Sequence, residues 1–394
     1  MPVSPARAEA FHVLSRFESG RGFAVELLQS ARFARLNEAD RRLATELVMG
    51  VLRWRGDLDF EIESLSGKPL SYFDLEVIEI LRLGLYQLLH LKSIPARAAI
   101  YEAVEMVKAA RKRSASGLVN AMLRKLQRRP ELKGATSGVW LERARRSVPS
   151  WIQDRWRTNF GATRADALTL ACQRIPQVCL RVTGAVFSRE AVQRDLAPAV
   201  KTSPGIFSRR ALRVIEGSVL ATSAALEGRV VIQDEASQLV AELVKPEPGH
   251  CVLDLCSAPG IKAWQIADNM AEGDMIACDR KITRLETMRR VIRNAWPNGV
   301  SLSRVVLDAT QPLPFARSFN RILVDAPCSG TGTLARNPEI KWRLRPGDIP
   351  RLAGEQLRIL QNGLNALARG GRLVYATCSL EPEENEMVTQ QALA

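Results

Sequence analysis

The sequence has no Cys-x-x-Cys pair and only three histidines, widely separated, which argues against a zinc site. No stretch approaches the roughly 18 uninterrupted apolar residues of a membrane span. The N-terminus has no apolar segment of the kind that directs export. There is no Gly-x-Gly-x-x-Gly and no Walker loop, so a pyrophosphate ligand is disfavoured. Internal repeats and low-complexity tracts are absent. The seven cysteines, an odd count without framework spacing, are expected to be reduced thiols in a cytoplasmic protein.

What is present is a chain of 394 residues, too long for one ordinary core, so two or three domains are expected. With 46% hydrophobic and 25% charged residues, the composition is that of a soluble globular protein. The formal charge of +14 is unevenly placed. Residues 1–100 are balanced, with 13 basic and 13 acidic side chains, whereas 101–150 hold 12 basic and 4 acidic. Such a cluster is the electrostatic footprint of a polyanion-binding protein. The plainer alternative is a solvated helix face and linker.

Residues 1–130 show apolar positions at three-to-four spacing, over Ala6 to Arg16, Asn37 to Val51, Leu75 to Leu89, Ile100 to Ala110 and Ser116 to Leu126. Gly56 and Gly67-Lys68-Pro69 punctuate the run. Strand signals are missing, so a helical bundle is expected. Residues 131–150 look like a basic linker. Residues 151–232 mix helix and strand and suggest a small α+β module, with strands at Val178 to Val182, Leu212 to Ile215 and Arg229 to Ile232. From 233 onward a helix (Glu235 to Val244) precedes short apolar strands that alternate with helices. The strands are Cys251 to Cys256, Met275 to Asp279, Arg304 to Asp308, Arg321 to Asp325 and Arg372 to Thr377. This pattern predicts a parallel, doubly wound sheet.

Ligands of such sheets sit beyond the carboxyl ends of the strands. Cys256 to Lys262 follows the first strand, where Pro259-Gly260 permits a sharp turn and the next helix offers free N–H groups to an anion. A ligand with a single carboxylate fits, such as the methionyl end of S-adenosylmethionine. Asp279 ends the second strand and could accept from both hydroxyls of a ribose. Asp308 ends the third and could accept from an adenine amino group. An acid after a strand is also an ordinary turn former. Asp325 and Cys328 share the fourth strand end, and Cys378 follows the fifth. A helix expected to begin near Pro382 would place partial positive charge near Cys378, with Glu381, Glu383, Glu384 and Glu386 opposing it. Cys172, Cys179, Cys251 and Cys278 suit the role of small buried hydrophobes.

Three segments carry a family resemblance: Asp254-Leu255-Cys256-Ser257-Ala258-Pro259-Gly260, Asp325-Ala326-Pro327-Cys328-Ser329-Gly330-Thr331-Gly332 and Thr377-Cys378-Ser379, with the Glu383-Glu384-Asn385-Glu386 tail. Together they resemble the RNA 5-methylcytosine methyltransferase family. The helical half is similar to NusB at Asp40-Arg41-Arg42-Leu43-Ala44, Gly50-Val51-Leu52-Arg53 and Val119-Asn120-Ala121-Met122-Leu123-Arg124. The combination resembles the bacterial 16S ribosomal RNA branch (RsmB/Sun). The resemblance implies a multidomain protein: a NusB-like bundle (1–130), a basic linker (131–150), a small RRM-like RNA-binding module (151–232) and a Rossmann-like catalytic domain (233–394). It implies S-adenosylmethionine bound by Cys256, Ser257, Ala258, Pro259, Gly260, Ile261, Lys262, Asp279, Asp308 and Asp325. It also implies Cys378 as nucleophile, Cys328 as its helper, Asp325 at the base, and cytosine 967 as the target.

Two departures stand out. The family loop reads Pro-Gly-Gly-Lys where this chain has Pro259-Gly260-Ile261-Lys262, and a β-branched residue is costly if that position needs positive φ. The family's sheet continues past the point where this chain stops, at Ala394, so its last strands are expected to be missing. The expected partner is small-subunit ribosomal RNA, with no membrane and no metal, and the protein acting as a monomer. The alternatives are an RNA-binding assembly or antitermination factor with an inactive methyltransferase domain, and a transfer-RNA methyltransferase.

Overall fold

The computed structural model describes residues 3–129, 137–184, 187–292 and 296–394. The part of the expected linker at 131–136 lies outside them. The chain divides into two compact units: Met1–Ile175 with Thr333–Leu344, and Pro176–Gly332 with Arg345–Ala394.

The first unit is helical, as its periodicity predicts. Its main helices are Pro5–Glu18, Glu38–Ser66, Leu75–His90, Ala96–Ala109 and Ser116–Gln127. Asn37 starts the second of these by accepting from the Asp40 N–H at 2.8 Å, and Gly67, at φ 68°, stops it. Leu47, Leu58, Leu81, Leu83 and Leu123 close the core with at most 1% exposure. Gly56 does not punctuate this helix, which runs straight through it. A Cβ there would lie 1.9 Å from the carbonyl oxygen of Arg146, so glycine allows two backbones to touch. Its neighbour Asp57 is fully buried and takes Arg143 at 2.8 Å and Arg146 at 3.2 Å. Those arginines lie on a helix, Ser137–Arg146. The described part of the basic stretch is therefore packed structure rather than an extended linker, and part of its charge is spent inside the unit.

Thr333–Leu344 belongs to this unit although about 160 residues separate it from the rest. Lys341 is 1% exposed and donates to the Arg53 carbonyl at 2.8 Å. Trp342 Nε1 donates to the Leu52 carbonyl at 2.6 Å. Arg343 donates to the carbonyls of Phe17 and Gly22, each at 2.8 Å. Burial pushes the Lys341 ammonium down to about 7.

The second unit begins with an antiparallel sheet: β1 (Cys179–Val182), β2 (Val200–Pro204), β3 (Ala211–Gly217) and β4 (Val230–Ile232), in the order β2-β3-β1-β4. Helices Arg189–Leu196 and Ser223–Leu226 complete a βαββαβ arrangement. β2 has little apolar content and was not expected. The central strand β1 is buried on both faces. Its Arg181 donates to Gln233 at 2.7 Å and to Asp268 at 2.6 Å, so β1 offers no free face for bases to stack on.

A parallel sheet follows, from β5 (Cys251–Asp254), β6 (Gly273–Asp279), β7 (Val300–Val306), β8 (Phe319–Asp325) and β9 (Leu367–Ala376), in the order β7-β6-β5-β8-β9. Every pairing is parallel. This is the Rossmann-like methyltransferase architecture expected, with strand order reversing between β5 and β8. β7 lies earlier than the Arg304-to-Asp308 expectation: it ends at Val306, and Asp308 sits in the turn beyond it. Among the described residues, no helix is long and apolar enough to cross a membrane.

Gly56→Ala is expected to lower stability by about 1–3 kcal/mol, because backbone must move to admit the methyl group. Gly117→Ala is the control: it has open space in the first turn of a helix and is expected to change stability by at most about 1 kcal/mol, in the stabilising direction. Chemical denaturation of the two variants checks both.

Candidate active site

Parallel strands bring their carboxyl ends to one edge, and the reversal between β5 and β8 opens a crevice there. Asp325 is the last residue of β8, in register with Ala376 of β9. Three residues past Asp325 the chain carries Cys328, and two past Ala376 it carries Cys378. The two sulfurs lie 3.3 Å apart, and the Cys378 N–H points at the Cys328 sulfur, also at 3.3 Å. Cys378 is exposed and Cys328 half-buried. Gly332 donates to the Cys378 carbonyl at 2.9 Å, an approach that a side chain at this glycine would block.

Glu384 fixes this geometry. Its carboxylate is fully buried and accepts from the Ser329 N–H at 2.8 Å, the hydroxyls of Ser329 and Ser379, and Gln356 Nε2 at 2.9 Å. Ser329 neighbours Cys328, and Ser379 neighbours Cys378, so one carboxylate holds both thiol loops. Gln356 also donates to the Pro327 carbonyl at 2.9 Å. Residues Pro382–Glu384 form a single 3-10 turn and the helix starts only at Glu386. The helix expected near Pro382 therefore begins four residues later than the sequence suggests.

The Cys328 S–H bond holds the Cys378 thiol below the ordinary range, helped by Lys262 and opposed by burial and Asp325. The same bond, with burial, pushes Cys328 up. Of the two thiols, Cys378 is thus the one whose ionised form the surroundings favour. Burial raises Cys256 and Cys278, each with nearby carboxylates adding to it, and raises Cys172 to about 11. These three remain thiols.

Lys262 Nζ lies 2.6 Å from Asp325 Oδ2. Gly260 takes the positive φ of the loop, +94°, and its Cβ would strike Met288 at 2.4 Å. Ile261 is not in the left-handed region; it opens helix Ile261–Asp268 and packs on the core. The strain expected at Ile261 does not arise. Asp279 is buried at the end of β6, accepting from the Lys281 N–H at 2.9 Å and pairing with Arg284 at 3.1 Å. Arg284 also donates to the Ala258 carbonyl at 2.6 Å, which ties Asp279 to the loop. Asp308 is exposed. It accepts from Thr310 Oγ1 at 2.7 Å and N–H at 3.0 Å, bonds that hold it below the usual carboxylate range. It closes its own turn, the plainer role considered for it.

The sequence gives no sign of Arg284, whose partners are distant in the chain, and shows Asp254 and Glu384 without their roles, Asp254 as a motif letter and Glu384 as a charge in the last motif's tail. Asp254 is buried and its Oδ2 has no hydrogen-bond partner. Burial, and then the charge of Asp325, push its carboxyl up to about 7.

Known proteins share this architecture. Residues 241–394 match the family described as 16S rRNA methyltransferase RsmB/F, and residues 4–128 match the NusB family. The chain is 32% identical over 393 residues to the probable ribosomal RNA small subunit methyltransferase B of Bacillus subtilis, covering 98% of this chain and 88% of the relative. It is 36% identical over 379 residues to ribosomal RNA small subunit methyltransferase B of Pseudomonas putida, covering 92% and 83%. Among solved structures, PH0851 superposes with a TM-score of 0.79 at 22% identity, covering 100% of this chain and 90% of that one. A methyltransferase homolog protein from Pyrococcus horikoshii gives 0.57 at 29% identity, covering 66% and 83%.

Removing the Cys328 S–H removes the main support of the Cys378 anion. In Cys328→Ala, the pH at which Cys378 is half-maximally alkylated by iodoacetamide is expected to rise. Mass-spectrometric rates across pH check this, and an unmoved profile would exclude the thiol–thiol bond as the activating contact.

Proposed function

The chain belongs to the 16S rRNA methyltransferase RsmB/F family, and from that membership we propose that it methylates C5 of a cytosine in small-subunit ribosomal RNA, with S-adenosylmethionine as donor and a covalent bond from Cys378 to the base. It is an rRNA methyltransferase with a NusB-type bundle. The observation that carries the finer reading is the pair of sulfurs 3.3 Å apart at adjacent strand ends. The family's target, cytosine 967, is the site we assign.

The crevice suits the donor. Asp254 Oδ2 is buried and unpartnered, and an ammonium group such as that of a methionyl moiety would satisfy it and restore its ionised form. Cys256, Ser257, Ala258, Pro259, Gly260, Ile261 and Lys262 would surround that moiety, with Asp279 and Asp308 toward the nucleoside and Asp325 near the reacting groups. A solved NSun6 from Pyrococcus horikoshii contains an analogue of this donor. The donor supplies an electrophilic methyl group on a sulfonium.

Cytosine C5 is too weak a nucleophile to take that methyl unaided. The Cys378 thiolate adds to C6, forming an S–C6 bond and making C5 an enamine-like carbon. Asp325, its charge balanced by Lys262, accepts from the cytosine 4-amino group. C5 would then take the methyl carbon as the sulfonium S–CH3 bond breaks, the electron pair leaving on sulfur as the neutral thioether. Once the Cys378 charge is spent in the S–C6 bond, the anion that kept Cys328 protonated is gone, and Cys328 ionises more readily. Cys328 then takes the C5 proton, directly or through water, the C6–S bond breaks, and Cys378 leaves as thiolate. The base must be unstacked for sulfur to reach its face.

Tritiated methyl transfer to small-subunit RNA tests this. Cys378→Ala is expected to lose about a thousandfold or more in rate. Cys328→Ala is expected to accumulate a protein–RNA adduct that survives a denaturing gel. Full activity in Cys378→Ala overturns the mechanism. Bisulfite sequencing reads the position, and preference for transfer RNA would overturn the substrate.

A further inference from the structure

Far along the chain from the thiols, the first unit holds a second cavity. It measures about 480 Å³, within the range of small-molecule sites. Three of its lining rings form a stack. Trp54 and His90 are 4.7 Å apart with planes at 27°, and His90 and Tyr86 are 5.0 Å apart at 20°. Trp140 leans on this stack, 5.6 Å from Trp54, and is 37% exposed. With Ile175, 67% exposed, it forms an open rim.

The polar wall is unsatisfied. Gln173 is 8% exposed, yet neither Nε2 nor Oε1 of its carboxamide has a partner. Arg53 is 4% exposed and its Nε is likewise unpartnered. Unpaired buried polar atoms are costly, and two such side chains on one cavity wall point to an occupant. Burial, with Arg143 and Arg53 nearby, lowers His90 to about 3, so the imidazole is neutral at physiological pH.

We infer that this cavity is a binding site for one unpaired nucleobase, stacked on the aromatic wall and read at its edge by the Gln173 carboxamide. A carboxamide presents a donor beside an acceptor, which matches base edges. A phosphate or carboxylate would face Glu46 in the same wall. An organic cation would face Arg53 on the wall, with Arg143 5.1 Å behind the Trp140 ring. A purely apolar ligand would leave the Gln173 amide unpaired. Arg174, also on the lining, is placed to meet a phosphate attached to the base. The base can come from the RNA substrate or from a free nucleotide. This site stands apart from the proposed cysteine chemistry and does not depend on it.

The test uses the full chain with saturating S-adenosylhomocysteine, so that nucleotides cannot report on the methyl-donor crevice. Adenosine, guanosine, cytidine and uridine monophosphates are titrated calorimetrically, and small-subunit RNA binding is followed by anisotropy. At least one monophosphate is expected to bind, and Gln173→Leu and Trp140→Ala are expected to weaken it about tenfold. Trp140 lies at the rim, so its variant carries the test if the Gln173 variant misfolds. Parallel weakening of RNA binding identifies an RNA base as occupant; weakening of the monophosphate alone identifies a free nucleotide. If no monophosphate binds, or both variants bind monophosphate and RNA as the wild type does, the inference fails. Loss of methyl transfer in Cys378→Ala has no bearing on these readouts.

Discussion

Everything at the thiol centre depends on one buried carboxylate. Glu384 receives hydrogen bonds from residues adjoining each cysteine and from Gln356 of the packed helix Asp348–Asn365. Two loops from different strands would otherwise be free to move independently. Because both are held by the same group, the sulfurs keep a separation at which one can stabilise the other's charge. Charge-assisted hydrogen bonds of this kind are among the strongest available in an interior. The acid was visible in the sequence only as one of four glutamates opposing the nucleophile. In the fold it turns away from the sulfur and becomes part of the frame.

The electrostatics of the centre follow from that arrangement. The adjacent thiol and Lys262 lower the Cys378 thiol, against burial and the charge of Asp325. Lys262 also balances Asp325, which lets a carboxylate sit near a thiolate. Asp254 behind them is left with an unmet oxygen. The site is thus arranged around charges that remain to be completed by what it binds.

Much of this was legible before any coordinates. Continuous apolar strands separated by helices gave the parallel sheet, and strand-end position gathered Asp279, Asp325, Cys328 and Cys378 on one edge. What could not be read depends on contacts distant in sequence. Gly56 looks like a helix breaker until Arg146 is found against it. Ser137–Arg146 reads as a basic helical piece, but not as a packed one until Asp57 is found beneath it. Asp308 was placed on a strand end because Val305, Val306 and Leu307 precede it, yet the ladder closes at Val306 and the side chain caps a turn. Ile261 seemed strained because the family pattern places glycine there; the unusual backbone belongs to Gly260. Helix Ala162–Ala171 and strand β2 carry too little periodicity to declare themselves.

The segment Thr333–Leu344 has a consequence for how the protein is made. A ribosome delivers the chain from its N-terminus, and domains generally fold as they emerge. Here the helical unit lacks Lys341, Trp342 and Arg343, and the carbonyls of Phe17, Gly22, Leu52 and Arg53 lack those donors, until some 290 residues beyond Arg53 have been synthesised. Residues made early must wait for a segment made much later before their packing is finished. Two distant stretches of the message are thereby coupled in time, and a nascent bundle released before the second appears is an unfinished one.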